Sequence, residues 1–217
     1  MAKRSKTLNG SGLELVEIEP LTRNQLVAFE SERNLVLHGC AGTGKTFISC
    51  YLAFDDMTKN MYEKLVIIRS AVPTRDIGFL PGTEKEKSSV YEEPYYDISI
   101  DLFGRGDAYQ ILKTKRLVHF MTTSYIRGIT LRDAVVLIDE CQNMTFHELD
   151  SIITRVGENC KVIFCGDFSQ SDLKQNGMKE FFEILASMNR FDFIEFGVED
   201  IVRSGFVKEY IIAKEYS

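Results

Sequence analysis

The stretch HGCAGTGKTF, residues 38–47, follows the apolar run Leu35–Leu37 and precedes residues that can form a helix. From Gly39 to Thr46 it matches the pattern G-x-x-x-x-G-K-[ST] in full, a loop whose backbone N–H groups surround phosphate oxygens. A chance glycine turn is the alternative interpretation. Because the motif is complete and lies between a predicted strand and a predicted helix, we interpret it as a nucleotide phosphate site.

Parts of this loop have separate predicted roles. The N-terminus of the following helix adds partial positive charge that favours phosphate. Lys45 is expected to reach the β- and γ-phosphates, and the Thr46 hydroxyl is expected to bind Mg²⁺. The predicted nucleotide-binding residues of the loop are Gly39, Cys40, Ala41, Gly42, Thr43, Gly44, Lys45 and Thr46.

Two adjacent acids form the second motif, within AVVLIDECQN at residues 134–143. The apolar residues predict a buried strand that brings Asp139 to its carboxyl end, where α/β sheets bind ligands. Asp139 is the second predicted metal ligand, and Glu140 is expected to polarise the attacking water. A helix N-cap is the alternative, since acids are also favoured there.

A third polar motif, GDFSQSD at residues 166–172, follows the next predicted strand. Asp167 and Gln170 are predicted to contact the γ-phosphate through water, and a simple polar turn is the alternative. A small-molecule kinase must exclude water, whereas a hydrolase needs a group that positions it. Glu140 and Gln170 therefore favour hydrolysis over the kinase alternative.

Short apolar runs alternate with segments of helical pattern along the chain. This alternation predicts an α/β fold with a mostly parallel sheet and helices on both faces. The predicted strands are Asn34–His38, Lys64–Arg69, Leu117–Met121, Ala134–Ile138 and Lys161–Cys165, with Phe193–Phe196 as a sixth candidate. The predicted helices are Lys45–Met57, Phe146–Arg155, Met178–Met188 and Gly205–Lys214.

Length, apolar runs and cysteine count limit the possible domain organisation and cellular location. The 217 residues predict one domain over residues 20–217, preceded by a flexible tail over residues 1–19, with residues 70–110 as the least regular part. No run approaches the roughly 18 apolar residues of a membrane span, and the basic start lacks the apolar run of a secretory signal. Five cysteines without a C-x-x-C pattern argue against disulfides and zinc and favour a cytoplasmic protein.

The order of these motifs resembles the first motor domain of superfamily 1 helicases, with Gln25 ahead of the phosphate loop and GDFSQ after DECQ. The chain is more similar still to the PhoH family of ATPases. That resemblance implies a RecA-like P-loop NTPase fold, ATP hydrolysis, and a ring-shaped oligomer, expected to be hexameric, that acts on RNA or single-stranded DNA. Short members of the family are common in phages, so a phage origin is compatible with this chain. The segments that carry the resemblance are IRSAVPTRDIGFLPGTEKEK (68–87), SYIRGITLRDAVVLIDECQN (124–143), ITRVGENCKVIFCGDFSQSDL (153–173) and IVRSGFVKEYIIAKEY (201–216).

Four positions depart from the family pattern. Cys40 and Cys141 stand where small residues are usual, which brings a thiol close to the nucleotide. Ser169 replaces the more usual threonine, and Lys174 stands where proline is expected.

The helicase resemblance also implies roles for residues outside the loop and the acids. Gln25 is expected to hydrogen-bond the adenine edge, and an exposed helix glutamine is the alternative. A second motor domain would supply an arginine to the γ-phosphate, but this chain is too short to hold one. Either ATP is hydrolysed slowly or another subunit supplies the arginine, and we favour an oligomer. The candidate arginines are Arg127, Arg155 and Arg203. Arg155 could point across an interface, Arg203 could act within its own subunit, and each of the three can instead be an ordinary surface residue.

A nucleic-acid surface is expected near the segments after the second and third strands, where cations and planar rings suit a single strand. The formal net charge of −6 does not support binding by the whole surface but leaves room for a local groove. An ATP-switched binding module that grips a strand or a protein without translocation is the competing function. The candidate contacts are Arg69, Arg75, Phe79, Tyr125 and Arg127, each of which can instead serve packing or ion pairing.

Overall fold

The protein was analysed as a computed structural model that describes residues 5–8, 10–70, 84–167 and 177–215. Its strands are β1 (Ser5–Leu8), β2 (Leu13–Val16), β3 (Asn34–Gly39), β4 (Lys64–Arg69), β5 (Val118–Thr122), β6 (Ala134–Asp139), β7 (Cys160–Gly166) and β8 (Phe191–Phe196). Its α-helices are α1 (Arg23–Glu30), α2 (Lys45–Thr58), α3 (Glu84–Phe103), α4 (Ala108–Thr114), α5 (Phe146–Ile153), α6 (Met178–Ser187) and α7 (Gly205–Glu215).

The central sheet has the strand order β5-β4-β6-β7-β3-β8, and each neighbouring pair runs parallel. The predicted strands and helices are present, and their ends differ from the predicted ones by at most two residues. β7 lies between β3 and β6. The loops that follow these strands leave the same edge of the sheet, because the carboxyl ends of parallel strands coincide. The phosphate loop and the two acids therefore meet there.

Helices cover both faces of the sheet, as predicted. Alternate residues of a strand point to opposite faces, so each strand contributes to two cores. Leu35, Ile67 and Leu137 belong to one core with residues of α2, α3 and α4. Val36 and Ile138 belong to the other, with residues of α5 and α6. Burial on both faces explains why these strands are apolar throughout rather than alternating.

The expectation of a flexible tail over residues 1–19 is wrong for the hairpin of β1 and β2. These strands pair antiparallel, with Leu8 opposite Leu13. Leu8, Leu13 and Leu15 are buried in the same core as α2 and α3. Lys6 of β1 also forms an ion pair with Asp55 of α2, 2.5 Å long. The hairpin was missed because each strand has only four residues, too few for its pattern to be distinguished from that of a polar tail.

The irregular structure expected over residues 70–110 is wrong for residues 84–103, which form α3, and for Ala108 onward, where α4 begins. Pro94 lies inside α3 and predicted a break there. Tertiary packing outweighs this local preference, because Tyr95 and Leu102 of α3 are buried in the core shared with α2. α3 thereby becomes a neighbour of the phosphate loop.

A buried ion pair joins α2 to β7. Lys161 Nζ lies 2.9 Å from Asp56 Oδ2, and the two side chains are 7% and 10% exposed. We expect Asp56→Ala to lower the free energy of unfolding by about 3–5 kcal/mol, because it leaves the Lys161 ammonium buried without its nearest carboxylate. Urea unfolding at neutral pH measures this change.

The matched control for Asp56→Ala is Glu183→Ala, which removes a carboxylate from a solvent-exposed pair. Lys179 and Glu183 lie 3.7 Å apart with side chains that are 61% and 66% exposed. Such pairs contribute about 0–1 kcal/mol. Equal losses in the two variants would show that the burial of the Lys161 pair has no energetic consequence.

Within the described ranges, none of the helices has the length and apolar character needed to cross a membrane.

Candidate active site

The phosphate loop connects β3 to α2 through glycines in the left-handed region. Gly39, Gly42 and Gly44 have φ values of 107°, 76° and 83°. A Cβ atom on Gly39 would lie 2.2 Å from the Phe196 carbonyl oxygen of β8. Only glycine fits there, since the loop passes directly against the neighbouring strand. The Cys40 N–H donates to the same carbonyl oxygen over 2.8 Å, which anchors the loop to β8.

Lys45 is the first residue of α2, and its side chain folds back over the loop. Its Nζ donates to the Gly39 and Cys40 carbonyl oxygens, at 2.8 and 2.6 Å. The residue is 8% exposed, and burial lowers the pKa of its ammonium group, opposed by the carboxylate of Asp167. An ammonium held by two neutral carbonyls can exchange these contacts for phosphate oxygens, which are stronger acceptors.

Asp139 ends β6, and both of its carboxylate oxygens are held. Oδ1 accepts a hydrogen bond from Thr46 Oγ1 over 2.9 Å, and Oδ2 accepts one from Tyr95 Oη over 2.6 Å. The residue is 3% exposed, and this burial raises the pKa of the Asp139 carboxyl group, while the hydrogen bond from Tyr95 lowers it. Burial also raises the pKa of the Tyr95 phenol, so that Tyr95 stays protonated and acts as the donor.

The donor set at Thr46 and Asp139 fits a hard divalent cation such as Mg²⁺. A hydroxyl and a carboxylate oxygen lie 2.9 Å apart at the base of the pocket. Among the described residues no group of three or more His, Cys, Asp or Glu side chains is placed to hold a metal. Mg²⁺ is commonly bound through one or two protein oxygens together with substrate phosphates and waters. Thr46 and Asp139 match that arrangement.

Glu140 has a left-handed backbone, with φ 53° and ψ 40°, which is uncommon for a residue other than glycine. Its Oε2 accepts a hydrogen bond from Gln142 Nε2 over 2.6 Å, and its Oε1 lies 4.0 Å from Arg69 Nη2. The Gln142 side-chain oxygen accepts from the Asp167 N–H over 3.1 Å. Gln142 thus connects Glu140 to the end of β7, and the carboxylate stands beside Asp139 in a strained but well-supported conformation.

A cavity of about 700 Å³ brings these groups together. Its floor contains the phosphate loop, and its acidic side contains Asp139, Glu140 and Asp167. The described ends of β4 and β7, the turn before α7 and part of α3 complete it. The other lining residues include Ile18, Leu21, Gln25, Phe29, Arg69, Pro94, Asp97, Ile98, Gln142, Val202 and Arg203.

Gln25 lies in this cavity, but its amide is bound to backbone. Its Nε2 donates to the Thr43 carbonyl oxygen over 3.1 Å, and its Oε1 accepts from the Leu21 N–H over 2.7 Å. With 4% exposure it is not the exposed helix glutamine that was the alternative. Here it supports the phosphate loop from α1, and its contact with an adenine ring stays a prediction.

The three candidate arginines lie in different places. Arg203 lines the cavity of its own chain, where a Cβ on Gly42 would lie 2.9 Å from Arg203 Cγ. Arg155 lies at the opposite edge of the sheet, because its carbonyl oxygen accepts from the Leu131 N–H, just before β6 begins. Its Nε is buried and has no hydrogen-bond partner among the described residues. Arg127 is exposed beyond β5.

Several predicted contacts lie outside the described residues, namely Gln170, Arg75 and Phe79, as do Ser169 and Lys174. Of the other predicted polymer contacts, Tyr125 is 51% exposed. Arg69 faces the cavity rather than an outer surface, since it lies beside Glu140 and its guanidinium is 5.9 Å from the centre of the Tyr91 ring.

Two site residues were not predicted, Tyr95 and Gln142. Gln142 could have been found, because it follows the two acids in the same short motif. Tyr95 has no such signal, since α3 is distant in sequence from Asp139 and its own local pattern predicts irregular structure.

The structure has a parallel sheet with helices on both faces, a phosphate loop after one strand and an acid at the end of another. These features define a RecA-like P-loop NTPase fold. A family model described as PhoH-like protein matches residues 17–215. The chain therefore belongs to the PhoH-like protein family.

Individual relatives agree with this assignment. The chain is 33% identical to the PhoH-like protein of Bacillus subtilis (strain 168), over 98% of this chain and 68% of that protein. It is 32% identical to Protein PhoH of Escherichia coli (strain K12), over 89% of this chain and 57% of that protein. The chain thus spans roughly half to two thirds of the length of these curated relatives.

A solved structure has the same fold. The large terminase from a thermophilic bacteriophage, in complex with ADP, is similar over 88% of this chain and 49% of that chain. The TM-score is 0.57 at 14% sequence identity, a likeness of fold.

Proposed function

We propose that this protein is a Mg²⁺-dependent ATPase that works as an oligomer and couples hydrolysis to binding of single-stranded RNA or DNA. The observation that carries the Mg²⁺-dependent ATPase activity in this proposal is the hydrogen bond between Thr46 Oγ1 and Asp139 Oδ1. This hydrogen bond joins the start of α2, where the phosphate loop ends, to the end of β6, where Asp139 is followed by Glu140. The terminase that shares this fold was solved in complex with ADP, which supports nucleotide binding by this chain.

The chain's own residues would perform distinct tasks in hydrolysis. The loop N–H groups and Lys45 would bind the phosphates, and Thr46 and Asp139 would hold Mg²⁺, which when bound neutralises phosphate charge. Glu140 would orient the attacking water and accept its proton. Gln142 donates to one oxygen of Glu140 and Arg69 lies 4.0 Å from the other, and each carboxylate oxygen can still accept a hydrogen bond from the water.

An oligomer is proposed because the two arginines that line the described part of the cavity each have another contact within the chain. Arg69 and Arg203 line the cavity, but Arg69 lies beside Glu140 and Arg203 packs over Gly42. Arg155 lies at the far edge of the sheet, so it can reach a nucleotide only in a neighbouring subunit. Arrangement in a ring, hexameric in the simplest case, would bring that edge to the next cavity.

The coupling to nucleic acid is tested by steady-state ATP hydrolysis with and without single-stranded RNA and DNA. We expect either polymer, or both, to raise kcat at least severalfold in wild-type protein. We expect kcat of the Glu140→Gln blank to be about 10²–10⁴-fold lower than that of wild type. Turnover that is indifferent to both polymers would reject the coupling. Such a result would favour the competing function, a module that binds a partner in its ATP-bound state without translocation.

A further inference from the structure

α3 forms one side of the nucleotide cavity, opposite the phosphate loop. Pro94, Asp97 and Ile98 of this helix line the cavity. Tyr91 and Tyr95 are four residues apart and therefore lie on the same face of α3. This face is directed at the ends of β4 and β6.

The two tyrosines connect α3 to the two acids of the site. The Tyr91 ring lies under the Arg69 guanidinium, which in turn lies beside Glu140. Tyr95 reaches Asp139 directly. The helix thus contacts Asp139 directly by a hydrogen bond and is connected to Glu140 through Arg69.

The contact between Tyr95 and Asp139 is fully buried. Tyr95 is 1% exposed and Asp139 is 3% exposed, so water does not compete for this hydrogen bond. The Tyr95 ring also packs against the Phe120 ring of β5, with centroids 5.8 Å apart. This packing limits rotation of the ring and keeps its hydroxyl aimed at the end of β6.

The hydrogen bond determines how the Asp139 carboxylate is oriented. Because Oδ2 is held by Tyr95 over 2.6 Å, Oδ1 is directed at the Thr46 hydroxyl. Without the Tyr95 hydroxyl, Oδ2 would be left buried and unpaired, and the carboxylate would turn to find another donor. Groups that hydrogen-bond a metal-binding carboxylate in this manner change metal affinity or activity about 10–100-fold when they are removed.

We propose that Tyr95 is a positioning residue that holds Asp139 in the orientation needed to bind Mg²⁺ with the nucleotide. The proposal rests on the ATPase function proposed above. It makes α3 part of the nucleotide site.

The test measures binding rather than turnover. The affinity of a fluorescent ATP analogue is determined in Mg²⁺ and in EDTA, and the ratio of the two dissociation constants gives the gain due to the metal. We expect Tyr95→Phe to reduce this gain about tenfold or more and to leave the affinity in EDTA unchanged, because the phosphate loop is intact. Tyr96→Phe is the matched control: it removes a hydroxyl from the next residue of α3, whose ring packs against the Tyr109 ring at a tilt rather than reaching Asp139.

A measurement of folding and a second variant separate the outcomes. Thermal unfolding followed by circular dichroism sets an assay temperature at which the variants are folded, and an unfolded variant would also lose binding in EDTA. If Tyr95→Phe does not fold, Phe120→Leu carries the test, because it keeps the Tyr95 hydroxyl but removes the ring that limits its rotation, and it is also expected to reduce the gain due to the metal. A wild-type gain that Tyr95→Phe leaves intact would overturn the positioning role while the proposed function stands. Absence of any gain in wild-type protein would overturn both.

Discussion

Replacing Glu140 with glutamine is expected to lower kcat for ATP hydrolysis by about 10²–10⁴-fold, the range typical of a lost general base. The amide has nearly the shape of the carboxylate but cannot accept a proton from water. Nucleotide binding should be retained, because Lys45 and the loop backbone are unchanged. Steady-state phosphate release and a direct binding titration on the same preparation measure the two quantities. The expected signature is a fall in kcat without a matching loss of affinity.

Glu148→Gln is the matched control for this substitution. Glu148 lies in α5 and accepts from the Thr145 N–H and from the hydroxyl of Thr123, outside the nucleotide cavity. Glutamine serves in the same capping position. We expect kcat of this control to stay close to that of wild type. A Glu140→Gln enzyme that retained more than about a third of wild-type kcat, far above the range typical of a lost base, would exclude Glu140 as the base.

Replacing Arg155 with alanine is expected to lower kcat by about 10³-fold or more, the effect of removing an arginine that contacts the γ-phosphate. Arg155 is distant from the cavity of its own chain, so this effect requires a neighbouring subunit. Arg132→Ala is the matched control, because Arg132 is an exposed arginine at the same edge of the sheet. Its kcat should be unaffected.

A mixing experiment distinguishes an arginine that acts in a neighbour from one that acts in its own chain. Subunits with Arg155→Ala retain Glu140, and subunits with Glu140→Gln retain Arg155. Mixed oligomers should therefore recover part of the activity, since some cavities then contain Glu140 and face an intact Arg155. Arg203 lines its own cavity, so Arg203→Ala should show no such recovery. If alanine at Arg127, Arg155 and Arg203 in turn leaves turnover unchanged, the composite site is rejected.

Much of the fold could be predicted because the determining signals are local. The central strands are buried on both faces, so each is a short run of apolar residues that is visible without any knowledge of its neighbours. α3 and the β1–β2 hairpin could not be predicted in the same way. Pro94 signals a break in α3, and the hairpin has four residues per strand. Both elements are stabilised by leucines and tyrosines that pack against α2, a contact between distant segments.

The sequence by itself determined which residues form the phosphate loop and the acidic pair of the candidate site. The phosphate loop occupies eight consecutive residues, Gly39 to Thr46, and Asp139 and Glu140 stand next to each other at the end of their strand. Each motif is therefore visible in a short stretch of sequence. Only the tertiary structure decided which side chains hold them. Tyr95 reaches Asp139 from another helix, Arg69 faces Glu140 rather than solvent, and Arg155 lies at the far edge of the sheet. These contacts depend on the order in which strands and helices pack, which no local pattern encodes.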